Sequence, residues 1–329
     1  MKLLSMLFAL IPTLAFAIPK DFTGFTKLAD GRKLFVDYAA PKDSKPTVIV
    51  VNGLTNSTSN WIGYSMALKH DGYGVFLYDA YVMGQTLLNN PIPDAPIKYT
   101  QQVADLKELL VLLKMQGPYQ LVGLSYGGGI VAAFAGKYPN LVKNMILMSP
   151  YTEFLESTKK LIRTEIAQTR QVFPLNPASD DELTDFFVRQ FVYQNYPIYE
   201  PTTLENPYKL EGISRIVQGI RMYQPVDEAS KLPTKVLHLW VAANDQYIPK
   251  DVFDRYWNAV PESARASYTF VNLCEHKIPE AASYFAAKWT EKILDGANEM
   301  FLGQHFDANP WTMLVIDAQG KQIDLLGGH

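Results

Sequence analysis

Cysteine is almost absent. The 329 residues contain one, Cys274, so no internal disulfide can form and the fold must rest on its apolar core. Charge of one sign is also lacking: 30 Lys and Arg stand against 33 Asp and Glu, a formal net charge of -3. That balance leaves no cationic excess to neutralise a phosphate backbone, and nucleic acid is not an expected partner. There is no H-E-x-x-H and no clustered Cys/His set, so no metal is expected, and neither G-x-G-x-x-G nor G-x-x-x-x-G-K-[ST] occurs, so no cofactor is expected. Long apolar runs are missing except at the start, where Lys2 precedes a run from Leu3 to Ala17 that is shorter than the ~20 residues needed to span a bilayer. Its end, Ala15-Phe16-Ala17, has the small-x-small pattern of a cleavage site, so residues 1–17 read as an export signal and the mature protein as soluble, periplasmic or secreted. No cysteine follows Ala17, which excludes lipidation at that site.

What is present suits a large globular fold: 48% of residues are hydrophobic and 19% charged. Phe25 to Ala40 contains two alternating runs around Asp30-Gly31, a two-residue hairpin signal. The runs Thr47–Asn52 and Gly74–Asp79 are largely apolar without alternation, which predicts parallel strands covered on both faces, and Tyr119–Leu124, Asn144–Ser149, Lys235–Val241 and Tyr268–Leu273 read as further strands of the same sheet. Helical patterns lie between them, over Asn60–His70, Tyr99–Met115, Tyr126–Lys137 and Lys250–Val260, and a last one follows over Pro279–Leu294. In the second of these, Val103, Leu106, Leu110 and Leu113 recur at helical spacing ahead of Gly117-Pro118. Repeated βα units of this kind predict an α/β fold with a doubly wound, mostly parallel sheet. The expected organisation is a core over residues 18–150, a helical cap insertion over 151–232 that includes the capping box Ser179/Glu182, a second core part over 233–294, and an extension over 295–329 that reads as a β-hairpin.

Gly123-Leu-Ser125-Tyr-Gly127 matches G-x-S-x-G between a predicted strand and a predicted helix, the context that projects a serine hydroxyl from a tight turn. The flanking glycines are required because a β-carbon there would clash. A serine nucleophile needs a histidine base and an orienting acid. Among five histidines, His70 closes a helix, His238 lies inside a strand, and His305 and His329 lie in the tail. His276 alone follows the last core strand. Asp245 follows the preceding strand and completes the chain order Ser, Asp, His, with Glu153, just past the strand ending at Ser149, as the competing acid. Oxyanion donors are expected from the backbone N–H groups of Tyr126, after the nucleophile, and Leu54, in the loop Asn52-Gly53-Leu54. The run Gly127-Gly128-Gly129 reads as close helix packing, and Cys274 as a small buried strand residue.

From about Phe25 to Leu294 the chain resembles the α/β-hydrolase superfamily. The residues that carry the likeness are the G-x-S-x-G turn, Asp79-Ala-Tyr-Val-Met-Gly84-Gln-Thr86 as a diverged copy of the D-x-R-G-x-G-x-S loop, the acid loop around Asp245 with Ile248-Pro249, and the stretch ending at His276. The resemblance implies triad roles for Ser125, Asp245 and His276, an oxyanion hole at Leu54 and Tyr126, and a helical cap over the sheet. The sequence departs from the family at Asn52-Gly53, where His-Gly is common, and at Tyr81, where arginine is frequent. The implied activity is hydrolysis of small-molecule carboxylic esters through an acyl-enzyme. Lysophospholipase or monoacylglycerol lipase action on lipid substrates, release of N-terminal proline, and a non-catalytic ligand-binding role remain open alternatives. No interface signature is present, so a monomer is the default.

Overall fold

The computed structural model describes residues 21–195, 209–296, 301 and 303–327. Residues 1–17, which read as an export signal, and His329 lie outside them. The chain opens with strands β1 (Phe22–Lys27) and β2 (Lys33–Ala39), then β3 (Thr47–Val51), helix α1 (Ile62–His70), β4 (Gly74–Tyr78), α2 (Gly84–Leu88), α3 (Tyr99–Leu112), β5 (Tyr119–Leu124), α4 (Tyr126–Lys137) and β6 (Val142–Met148). Three helices follow, α5 (Glu156–Val172), α6 (Asp180–Asn195) and α7 (Leu210–Ile220). The alternation then returns with β7 (Leu237–Asn244), α8 (Lys250–Ala259), β8 (Arg265–Glu275), α9 (Ile278–Ala281) and α10 (Ser283–Leu294), and three strands close the chain, β9 (Gln304–Asn309), β10 (Leu314–Asp317) and β11 (Gln322–Asp324).

These strands form one sheet in the order β1-β2-β4-β3-β5-β6-β7-β8-β9-β10-β11, parallel from β4 through β9 and antiparallel at both ends. Successive side chains of a strand point to opposite faces, so a wholly apolar strand needs cover on both. In β3, Ile49 and Val51 join Val103 and Leu106 of α3, Ile130 and Phe134 of α4, and Phe253 of α8. Val48 and Val50 face the other way and join Trp61, Tyr64 and Leu68 with Phe285 and Trp289 of α10. Tyr64 Oη and Thr290 Oγ1 tie α1 to α10 at 3.0 Å beneath that second layer.

Three local readings change in the structure. The first hairpin turns through three residues, not two: the Leu28 N–H donates to Arg32 O (2.8 Å) and the Gly31 N–H to Leu28 O (3.0 Å), with Gly31 at φ +94°. A glycine in the left-handed region at the end of a three-residue loop is the bulged hairpin geometry. The last helical pattern breaks at Ala282 (φ -140°, ψ 51°) into α9 and α10. The final stretch does more than form a hairpin, because β9 pairs in parallel with β8 and carries β10 and β11 into the main sheet. An aromatic trio holds it there, with Trp289, Phe301 and Phe306 centroids 5.3 to 5.5 Å apart, while Trp289 Nε1 donates to Thr269 Oγ1 of β8 (3.2 Å).

Among the described residues, the segment between β6 and β7 contains helices and no strands. Helix α7 fastens it to the core. A β-carbon on Gly219 would lie 1.9 Å from the Ile97 carbonyl oxygen, so only glycine permits that approach, and the Ile97 N–H donates to Arg215 O at 2.9 Å. Helix α6 is tied to this anchor by Arg221–Asp185 (2.8 Å) and Arg189–Glu211 (3.0 Å).

Because the aromatic trio joins the terminal strands to α10, truncating Phe306 to alanine should cost about 3–5 kcal/mol of stability. Urea unfolding of Phe306→Ala against wild type measures it, and a loss below about 1 kcal/mol would show that the extension is not part of the cooperative core.

Candidate active site

Ser125 stands between β5 and α4 at φ 53°, ψ -119°, a left-handed conformation that costs a non-glycine residue on the order of 1–3 kcal/mol. Three backbone hydrogen bonds hold it there. Its N–H donates to Met148 O at the end of β6 (3.0 Å), and its own carbonyl accepts from Tyr151 N–H (2.8 Å) and Gly129 N–H (3.1 Å). The flanking glycines are sterically required: a β-carbon on Gly123 would meet Gly127 O at 2.6 Å, and one on Gly127 would meet Val51 O at 2.2 Å. The next two glycines let α4 approach Pro150 and Tyr151, which is packing and not a phosphate cradle.

His276 follows β8 and Asp245 follows β7, so the parallel pairing of these strands brings the two loops together at the same end of the sheet. His276 Nδ1 and Asp245 Oδ2 lie 2.7 Å apart, and both side chains are nearly buried. The other carboxylate oxygen accepts the N–H groups of Tyr247 (3.0 Å) and Ile248 (2.9 Å), which orients it. Burial by itself raises the Asp245 carboxyl, but the bond to His276 and these N–H donors outweigh it and hold it below the usual carboxylate range. With Nδ1–H donating to the acid, Nε2 is left with the lone pair a general base uses. Glu153, the competing acid in the sequence, is engaged elsewhere, with Arg255 Nε 3.1 Å from its Oε1.

Ser125, His276, Leu54 and Tyr126 line one cavity of about 440 Å³. Its remaining wall is largely apolar and includes Phe154, Leu155, Phe191, Val217 and Ile220 from the segment between β6 and β7. Tyr126 opens α4, so its N–H has no acceptor inside the helix. Leu54 occupies a turn closed by the Asn56 N–H to Gly53 O bond (3.1 Å), and among the described residues its N–H donates to no other group. Thr55 in that turn has φ +65°, a strained value for a β-branched residue. Two N–H groups without protein acceptors thus stand beside the same cavity as the serine.

The turn is braced from behind by a buried carboxylate. Asp79 Oδ1 accepts the Thr58 N–H (2.7 Å) and Asn52 Nδ2 (3.2 Å), its Oδ2 accepts the Gln85 N–H (2.7 Å), and Asn52 Nδ2 also donates to Tyr78 O (2.9 Å). This gives the Asn52-Gly53 departure a physical reason, since an amide at position 52 is what the carboxylate needs. The Tyr81 departure is likewise matched elsewhere: the Arg32 guanidinium lies 4.6 Å from the Tyr81 ring and forms a bidentate pair with Asp105, both contacts at 2.6 Å. Sequence reasoning missed this bracing. Its partners are far apart in the chain and only the fold joins them.

The other candidates fall away from the cavity. Cys274 is buried in β8 with its thiol pushed up to about 11 by burial, which disfavours a thiolate. His238 bonds Ser267 Oγ (2.8 Å) inside the sheet, His305 stacks on Tyr268, and His70 pairs with Asp71 at the end of α1.

A model of the alpha/beta hydrolase fold matches residues 46–210. The chain belongs to the α/β-hydrolase family. Its fold is similar to that of a hydrolase from Pseudomonas aeruginosa (17% identity, 84% of this chain and 98% of that one, TM-score 0.59). It is similar also to that of a thermophilic esterase from Thermogutta terrifontis (18% identity, 84% and 99%, TM-score 0.57). At such identities the likeness is one of fold. A Bacillus subtilis protein provisionally named 2-succinyl-6-hydroxy-2,4-cyclohexadiene-1-carboxylate synthase is 26% identical over 178 residues, 52% of this chain. The match spans 58% of the length of that relative.

Burial pushes the Asp79 carboxyl up to about 7, although its N–H donors and the Asn52 amide favour the charged form. A folded-state value above the unfolded one, about 3.9, means that the unfolded chain releases its proton first, so stability falls as pH rises from about 4 to about 7. Asp79→Asn removes this titration. The urea midpoint of the variant minus that of wild type should therefore climb across that window, and a difference constant with pH would contradict the assignment.

Proposed function

We propose that this protein hydrolyses carboxylic esters with apolar acyl groups, with Ser125 as nucleophile, His276 as general base and acid, and Asp245 as the residue that orients the imidazole. The observation that carries the reading is the His276–Asp245 bond at the edge of the cavity that also holds the strained serine. In this mechanism Ser125 Oγ adds to the ester carbonyl while His276 Nε2 takes its proton. The N–H groups of Tyr126 and Leu54 receive the oxyanion as charge develops. Collapse of the tetrahedral intermediate breaks the C–O bond, and the imidazolium returns its proton to the departing alkoxide. Water then gives a proton to His276 Nε2 and adds to the acyl carbonyl, and collapse of that second intermediate breaks the bond to Ser125 Oγ, which takes the proton back from the imidazolium as the acid leaves.

The cavity wall favours an uncharged acyl group. Among its described lining residues the one cation is Lys277, which lies 3.4 Å from Glu280 and is neutralised there. Such a lining suits a neutral ester better than the carboxylate in the name of the B. subtilis relative. Lysophospholipids and monoacylglycerols are the longer-chain version of the same reading.

A panel of nitrophenyl esters of rising chain length, set beside aminoacyl amides, tests the proposal. Turnover should favour the esters, and Ser125→Ala should lose about 10⁴- to 10⁶-fold in kcat. Retained turnover in the variant sinks the mechanism, and failure of a fluorophosphonate to label Ser125 turns the reading to a ligand-binding protein. The proposal includes export with cleavage after Ala17, which predicts a mature N-terminus at Ile18. N-terminal sequencing of the protein recovered from its native compartment checks it, and an intact Met1 would refute it.

A further inference from the structure

We propose that the turn between α5 and α6 is a docking tip for a zwitterionic phospholipid surface. The turn runs Val172-Phe173-Pro174-Leu175-Asn176-Pro177, and its three large apolar side chains face water: Val172 is 66% exposed, Phe173 63% and Leu175 94%. Exposed apolar residues scattered singly are normal, but three within four positions at a protruding turn form a patch of the kind that marks an interaction site.

The turn is built to hold them outward. Arg170 reaches across its base and donates to Asn176 O (3.0 Å), Ala178 O (2.6 Å) and Asp180 Oδ1 (2.7 Å). Asn176 adds two bonds of its own: its Oδ1 accepts the Ala178 N–H (2.9 Å) and its N–H donates to Phe173 O (3.0 Å). Pro174 and Pro177 fix φ at two further positions. A guanidinium and two prolines therefore oppose collapse of the tip onto the protein, where its apolar groups could otherwise be covered.

Size and charge decide the occupant. A specific protein partner engages about 20–30 residues a side, and a turn of six does not supply that surface. Insertion of two or three apolar side chains into a bilayer interface needs no such area. The charges nearby do not suit anionic headgroups: Arg170 is occupied by Asp180, and Asp181 and Glu182 follow in the first turn of α6. A zwitterionic surface is the apolar phase that remains.

The tip is not a lid. Thr158 of α5 lines the cavity and Val172 ends that helix, so at a rise of about 1.5 Å per residue the tip stands roughly 21 Å along the axis from the cavity wall. It acts as an anchor that holds the cavity near a membrane, and it does not depend on ester hydrolysis.

Sedimentation with phosphatidylcholine vesicles, measured on Ser125→Ala protein so that turnover plays no part, tests the proposal. The Ser125→Ala protein should partition onto the vesicles, and adding Phe173→Ser with Leu175→Ser should weaken partitioning at least tenfold. In the Ser125 background the same pair of substitutions should leave turnover of a soluble nitrophenyl ester unchanged. Leu175→Cys offers a second readout, because the native Cys274 is buried and an environment-sensitive fluorophore would report from the tip alone, with a blue shift on vesicle addition. Absence of partitioning, equal partitioning of the two proteins, or binding to anionic vesicles only would overturn the proposal. So would a wild-type dimer that the double substitution dissociates, which would assign the tip to a second copy of the chain.

Discussion

Everything at the site depends on the strained backbone of Ser125. A residue at φ 53° does not rest there of its own accord, and the surrounding fold supplies the restraint: the end of β6 accepts its N–H, while Tyr151 and Gly129 donate to its carbonyl. Those bonds require β5 and β6 to be adjacent and parallel, and the start of α4 to sit directly over the end of β3. The glycines are thus consequences of strand order. Their absent β-carbons leave the space in which the helix meets the sheet.

The same strand order gathers the remaining groups. Parallel strands end on one side of a sheet, so the loops after β3, β5, β7 and β8 converge, and ligands of open α/β sheets bind outside those carboxyl ends. Each loop then carries its own local support. Asp245 is turned by two N–H groups of its own loop, and the turn at Leu54 is braced by Asp79 through Asn52 and Thr58. A buried carboxylate that no cation pairs among the described residues is an expensive brace, and it stands where a small displacement of the N–H donors would matter most.

The legible and illegible parts of the sequence divide along a physical line. The runs at β3, β4 and β5 announced themselves because burial on both faces leaves few polar residues in them, and α4 matched because Gly127 and Lys137 bound an unbroken apolar stretch. The G-x-S-x-G turn and the positions of Asp245 and His276 were readable because local chemistry and strand ends define them. What could not be read was set by distant partners. Arg32 finds Asp105 across 73 positions, and Asn52 finds Asp79 across 27. The runs Met313–Asp317 and Ile323–Leu326 around Gln319-Gly320 looked like an isolated hairpin, since nothing local states that β8 will accept a further neighbour.

That neighbour changes the character of β8. Without β9, the strand that leads into His276 would lie at the margin of the sheet, with a row of unpaired N–H and carbonyl groups open to any other extended chain. The appended strands move the margin outward to β11, which is three residues long and carries Asp324 at its end. A short, charged border of that kind is a poor template for a second molecule. Strands β9 to β11 therefore act as a selvedge: they keep the half of the sheet that carries His276 from joining its copies edge to edge.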